Sequence, residues 1–192
     1  MTPMLLGLAL FFAPHALHLF APGWRTRTIA RVGELPWKGG YAALSLLGLA
    51  LVVHGYGEAR LAPDVVWVPP AWTGHLAALL LAPAFVLLTA AYVPGNRIRA
   101  RVGHPMVAGV VLWALAHLLA NGTVADLVLF GSFLAWSAAS LVVKRRRDLR
   151  AGTHRPPGTI SRDVVTVVVG LGLWAAFALW LHAWLIGVRP FG

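Results

Sequence analysis

Six apolar stretches occupy residues 3–20, 38–58, 72–93, 105–120, 124–143 and 164–187 of the 192-residue chain. Each is close to the roughly 20 residues that a helix needs to cross the hydrocarbon core of a bilayer, with the first and fourth near the short limit. The chain is 59% hydrophobic and only 11% charged, whereas soluble domains are about a quarter charged. A water-soluble fold has nowhere to hide that much apolar surface. The expected fold is therefore all-α: a polytopic integral membrane bundle of six transmembrane helices, forming one membrane domain over residues 1–192 with no internal repeat.

The first stretch has the length of a signal peptide, but it lacks a positive n-region. It runs through His15 and His18 into Arg25 and not into a small-residue cleavage site, so it is expected to be a helix of the mature protein. The basic residues set the orientation. Fourteen of the sixteen Lys and Arg fall in the first, third and fifth loops, which leaves only Arg60 and Arg189 for the other side. By the positive-inside rule those three loops are cytoplasmic and both termini lie on the outer face of the membrane.

The net charge of +10 raises the question of nucleic acid. The run KRRRDLR at 144–150 has no interleaved aromatics of the kind a single-strand platform uses, and it lies in the expected cytoplasmic basic loop at 144–162. It reads as a topology determinant beside lipid headgroups, and nucleic acid is excluded as a partner. Trp24, Trp37, Trp67, Trp72 and Trp184 lie near the expected boundaries, where amphipathic rings are favoured. Trp113, Trp136, Trp174 and Trp180 lie deeper.

The ionisable residues inside the spans carry the functional reading. The stretch His104–Gly122 is an apolar helix interrupted only by His117, with Trp113 and Asn121 four residues to either side and on the same face. Intramembrane ionisable groups mark functional sites. His15, His18, His54, His75 and His182 also fall within spans. A rise of about 1.5 Å per residue puts His15 and His117 each about 18 Å from opposite boundaries of a core about 30 Å thick. Their heights then differ by about 6 Å, and one cofactor between the first and fourth spans can be held by both. His18 shares a face with His15 and is an alternative ligand.

His54, His75 and His182 come out nearer the outer boundary. They are either boundary histidines bonded to backbone and headgroups, or a second, shallower cluster with Glu58 or Asp126. His104, at the cytoplasmic start of the fourth span, is a further secondary candidate.

Absences narrow the chemistry. No cysteine is present, which excludes disulfides, iron–sulfur clusters, thiolate-ligated haem and c-type haem attachment. No carboxylate lies mid-span, so proton relays and hard-cation sites are not expected. No phosphate loop, H-E-x-x-H helix or G-x-S-x-G elbow occurs. Neutral imidazoles in an apolar, aromatic-lined bundle suit bis-histidine haem b best.

Three strings carry a family resemblance: FFAPHALHLFAPGWR at 11–25, GYAALSLLGLALVVHGYG at 40–57, and NRIRARVGHPMVAGVVLWALAHLLANGTVADLVLFGSFLAW at 96–136. They resemble the NnrU family of bacterial membrane proteins over at least residues 5–147, with R-x-G-H-P and W-A-L-A-H-L-L-A-N-G the most specific parts. The resemblance implies a bacterial inner (cytoplasmic) membrane, which makes both termini periplasmic, and an association with denitrification through production of nitrite and nitric oxide reductase activity. The family is also similar to zeta-carotene isomerase, a membrane protein with haem b held by two histidines. In that enzyme an R-x-x-x-H-P opening precedes a W-C-L-A-H string whose histidine is a haem ligand, and the matching residue here is His117. The other ligand lies on an early helix and matches His15. The isomerase cysteine corresponds to Ala114, so its ligand exchange has no counterpart here.

The expected site is thus haem b with His15 and His117 on the iron. Trp113 and Asn121 are its neighbours, and Arg97, Arg99 or Arg101 are available for propionates. The first expectation is a haem protein that serves nitrite and nitric oxide metabolism with a redox partner. The second is a haem-dependent cis–trans isomerase of a carotenoid-like polyene or other apolar small molecule. The third is a metal-handling membrane protein that uses the outer histidines.

Overall fold

The computed structural model describes residues 1–190, the side chain of His18 excepted, and these residues are helical with no strand among them. The helices are α1 (Thr2–Phe20), α2 (Pro22–Val32), α3 (Glu34–Ala59), α4 (Trp72–Ala90), α5 (Arg97–Val102), α6 (Pro105–Ala120), α7 (Val124–Ala151), α8 (Ile160–Ala176) and α9 (His182–Ile186). A π-helical turn, Phe177–Leu181, joins α8 to α9.

Every apolar stretch is a helix. Four are long and apolar enough to cross a membrane: α3, α4, α7 and the continuous run Ile160–Ile186. At 16 residues α6 is apolar but shorter, and α1 forms a bent pair with α2. Length thus leaves α6 short of a span, and α1 counts as one only together with α2, as a single bent pair.

Three segments expected as loops contain helix. α2 lies in the first loop and starts on Pro22, whose fixed φ suits a first helical position and whose missing N–H costs nothing there. α5 lies in the third loop, and the Asn96 side chain caps it by accepting from the Arg99 N–H at 2.6 Å. α7 continues to Ala151, eight residues past the apolar run that ends at Val143. Lys, Arg and Leu are good helix formers whatever their solvent, so the helix stops only at Gly152, where φ is +57°.

The chain packs as two compact units. The first comprises Met1–Val65 and Thr123–Ser132, and the second comprises Val66–Gly122 and the chain from Phe133 onward.

In the first unit α1 packs against α3 through glycine. A Cβ on Gly7 would lie 2.6 Å from the Val52 nitrogen, one on Gly48 would lie 2.6 Å from the Phe11 nitrogen, and one on Gly55 would collide with the backbone of Met4. Contacts that advance along α1 as they retreat along α3 make the pair antiparallel. The start of α7 is tied to the end of α3 by a buried polar knot. The Tyr56 hydroxyl donates to Asp126 Oδ1 at 2.6 Å, and the Thr123 N–H and hydroxyl donate to Oδ2 at 2.9 and 2.6 Å. The Asp126 N–H returns to the Thr123 hydroxyl at 3.2 Å, completing a capping box at the head of α7.

In the second unit α4 is central and packs against both α6 and α8. A Cβ on Gly109 of α6 would lie 3.0 Å from the Ala84 carbonyl oxygen, and one on Gly170 of α8 would lie 2.7 Å from the Val86 Cα. Small and short polar residues fill the interior: Ala84, Ala90, Ala114, Ala116, Ser137, Ser140 and Thr166 are buried. Large apolar residues face outward, including Leu46, Leu47 and Val53 on α3, Leu79 on α4, and Val168 and Leu173 on α8. This inverts the soluble pattern and suits lipid, where association depends on close backbone approach and not on hiding apolar surface.

Two outcomes follow for the detergent-solubilised protein. Gly55→Ala should lower unfolding stability by about 1–3 kcal/mol through overpacking. Gly57→Ala, two residues on in open space, should raise it by about 0.5–1 kcal/mol through helix propensity alone; equal shifts from the two would refute the packing argument. Tyr56→Phe should cost about 1.5–3 kcal/mol by removing a donor from the buried Asp126 carboxylate, and a double-mutant cycle with Asp126→Ala should recover that coupling.

Candidate functional site

His117 sits in the last turn of α6, half-buried. Its Nδ1 lies 2.8 Å from the carbonyl oxygen of Trp113. A carbonyl only accepts, so Nδ1 carries the proton, and in a neutral ring Nε2 is then the nitrogen with the lone pair. The ring lies 4.9 Å from the Trp113 indole at 45°, and that indole meets Phe133 edge-on at 5.5 Å.

Asn121 was expected on the same helical face, but α6 ends at Ala120 and Asn121 has extended backbone as its C-cap. Its amide Nδ2 donates to the His117 carbonyl at 2.8 Å, which satisfies one of the orphan acceptors of a helix end. Asn121 thus supports His117 through the backbone. The adjoining turn is closed by Val66 and Trp67, whose N–H groups donate to the Gly122 carbonyl at 2.8 and 3.1 Å, while the Trp67 indole N–H donates to the Asn121 carbonyl at 3.2 Å. Gly122 has no Cβ because the Trp67 carbonyl occupies that space. The Asn-Gly end of the W-A-L-A-H-L-L-A-N-G string is therefore a helix cap.

His15 is held in the same way within the first unit. It is half-buried on α1, and its Nδ1–H donates to the Phe11 carbonyl at 2.6 Å. The ring stacks on Phe11 at 4.4 Å and 22°, with Tyr41 at 5.0 Å on α3. Each of the two histidines thus has an aromatic residue four positions earlier and a proton fixed on Nδ1 by that residue's carbonyl. The F-x-x-x-H and W-x-x-x-H spacings carry this likeness in the sequence, but Tyr41 has no local signal. The His18 side chain lies outside the described residues.

The outer histidines are separately engaged. His54 is exposed and pairs with Glu58 on its own helix at 3.5 Å, His75 is exposed, and His182 donates from Nδ1 to the Val188 carbonyl at 2.7 Å. Asp126 belongs to the Tyr56–Thr123 knot. Among the described residues no group of three or more His, Asp or Glu side chains is placed to hold a metal ion.

The basic end of the second unit has its own pairs. Arg97 was expected to be available for a propionate, but its Nε donates to Asp163 at 2.8 Å and its N–H to the same carboxylate at 2.6 Å. Arg99 donates to the Ala91 carbonyl at 3.2 Å. Sequence gives no cue to the Asp163 pairing, which spans 66 positions. His104 Nε2 lies 2.8 Å from Asp148 Oδ2, which also accepts from Arg155. Asp148 lies beyond the apolar run of α7, and the Arg155 guanidinium, helped by His104, holds its carboxyl below the usual carboxylate range.

Comparison with protein-family models matches residues 3–190 to the family described as NnrU protein. No curated protein and no solved structure matches the chain. With nearly its whole length covered by that match, the chain belongs to the NnrU family.

Proposed function

We propose that the chain is a haem b-binding protein of the bacterial inner membrane, with six spans and both termini periplasmic, in which His15 and His117 are the residues that would ligate iron. The observation that carries this reading is the shared arrangement of those two histidines. Metal-ligating histidines ordinarily donate their second ring N–H to a carbonyl or carboxylate, which fixes tautomer and orientation, and both rings do so here. Each would ligate through Nε2, and each lies beside an aromatic side chain on an apolar helix. Two neutral imidazoles form a donor set that fits low-spin haem iron.

Bound haem would supply one-electron chemistry at its iron. The chain's own residues contribute position and dryness. The Phe11 and Trp113 carbonyls hold the imidazoles in one tautomer, Asn121 and Trp67 close the end of α6 behind His117, and Tyr41 and Phe133 complete the aromatic surroundings. Family membership adds the association with denitrification, and the function that best joins the two is support of nitrite and nitric oxide reductase activity by electron transfer to or from a redox partner. Isomerase chemistry is disfavoured because the position of the exchanging cysteine is Ala114, a fully buried methyl.

Six spans require α1 and α6 to cross as well. At 16 residues α6 is about 24 Å long against a core of about 30 Å, and the deficit is met by its protein-capped ends and local thinning of the bilayer. The distribution of Lys and Arg supports the orientation.

Protein purified from haem-replete cells should show a low-spin reduced-minus-oxidised spectrum. His15→Ala and His117→Ala should each abolish it, while His75→Ala should not; an unchanged spectrum in His117→Ala would sink the ligand assignment. Because the chain has no cysteine, single thiols report topology cleanly. Ala62→Cys should react with an impermeant maleimide in intact spheroplasts and Thr153→Cys only after lysis, and the reverse would invert the orientation.

A further inference from the structure

At the end of α6 away from His117, the segment Arg101–Pro105 meets the polar extension of α7. α5 ends at Gly103, whose φ of +80° is a conformation that side chains rarely adopt. A Cβ there would lie 3.1 Å from Nη1 of Arg155, a close approach to the end of that side chain. The Arg155 guanidinium therefore lies directly on the turn. One oxygen of Asp148 gathers three pieces of chain: it accepts from Arg155, it meets His104 Nε2 at 2.8 Å, and it belongs to α7 itself.

These segments line a pocket of about 380 Å³ that also includes Arg101, Arg145 and Thr153. Its walls carry three guanidinium groups and a single carboxylate. Arg101 and Arg145 are exposed at its rim, and neither forms an ion pair among the described residues. Arg155 gives Asp148 one Nη group, and a guanidinium has five N–H donors in a planar fork. Arg145 comes two residues after Val143, where the apolar run of α7 gives way to KRRRDLR, so the pocket lies where hydrocarbon meets headgroups. Excess positive charge, several guanidinium forks and this depth suit a tetrahedral phosphate group better than a carboxylate or a halide, since its oxygens can accept from several forks at once. Basic pockets at the ends of membrane helices take anionic headgroups on the same physics.

We propose that this pocket is a phosphate-binding site in which Arg101, Arg145 and Arg155 grip a phosphate carried by an anionic phospholipid headgroup or by a soluble compound, and Asp148 positions Arg155.

The test uses the full chain in neutral detergent, titrated with inorganic phosphate against sodium chloride at equal ionic strength. In parallel, the chain is placed in nanodiscs of phosphatidylcholine with and without phosphatidylglycerol. The thermal unfolding midpoint is the readout, and helical circular dichroism checks each variant. The wild-type midpoint should rise with phosphate, with phosphatidylglycerol, or with both. A rise with inorganic phosphate alone assigns the soluble source, a rise with phosphatidylglycerol alone assigns the headgroup, and a rise with both reports the phosphate group itself.

Arg101→Gln with Arg145→Gln should raise the half-saturating concentration by about tenfold or more, as loss of charge-assisted hydrogen bonds does. Arg146→Gln with Arg150→Gln removes the same charge outside the pocket and should leave it unchanged. Asp148→Asn should weaken binding although it makes the pocket more positive. No response in the wild type, equal loss in the two arginine pairs, or tighter binding by Asp148→Asn would each overturn the proposal.

Discussion

Backbone approach through missing side chains is the constraint on which both compact units depend. Between α1 and α3 it is Gly7, Gly48 and Gly55, and around α4 it is Gly109 on α6 and Gly170 on α8. Lipid tails are as apolar as leucine, so a helix gains nothing there by burying large apolar groups. It gains by dispersion contact over a long seam, and by bringing backbone dipoles and short hydroxyls within reach. Two buried threonines fit the same logic, since Thr166 and Thr89 each donate to the carbonyl four residues earlier on their own helix and need no partner elsewhere. Many large side chains are then left to the outside, although Met4, Leu8, Leu129 and Phe130 remain buried in the first unit.

That inversion also decides what the sequence could reveal. Helix positions were legible because bilayer thickness sets the length of an apolar run, and all six runs are helices. The helix ends were less legible. Hydropathy stops at Val143, whereas the α7 backbone continues to Ala151, because hydropathy reports the solvent and not the conformation. The glycine seams escaped notice because a glycine in a helix is ordinarily a weakness, and only the facing backbone turns it into a contact. The capping box of Thr123 and Asp126 is at least local, three positions apart. The Tyr56 hydroxyl that completes the knot lies 70 positions away, and no local pattern announces it.

The candidate site divides along the same line. The four-residue spacing of Trp113, His117 and Asn121 pointed to the right neighbours, but the structure gives them different jobs: the first supplies a carbonyl and a ring, and the last supplies a cap. Phe11–His15 and Trp113–His117 share a four-residue spacing in the sequence, but the Nδ1 contact that gives it meaning is seen only in the structure, because a ring nitrogen bonded to its own helix is not encoded by residue type. The basic residues show the converse. Their distribution carries a topological signal, yet in the structure Arg97 and Arg155 are committed to specific carboxylates.

The π-helical turn at Phe177–Leu181 has a separate consequence. A π turn accommodates one residue more than an α turn, so everything downstream is rotated by about 100° relative to an uninterrupted α-helix. No single wheel projection describes Ile160–Ile186, and residues before and after the turn that share a computed stripe do not share a direction. His182 immediately follows that phase change, and its outlook is set by the inserted residue and not by its distance from Gly170 along the chain. The last span therefore has two azimuths, and its lower and upper halves can present unlike chemistry to whatever surrounds them.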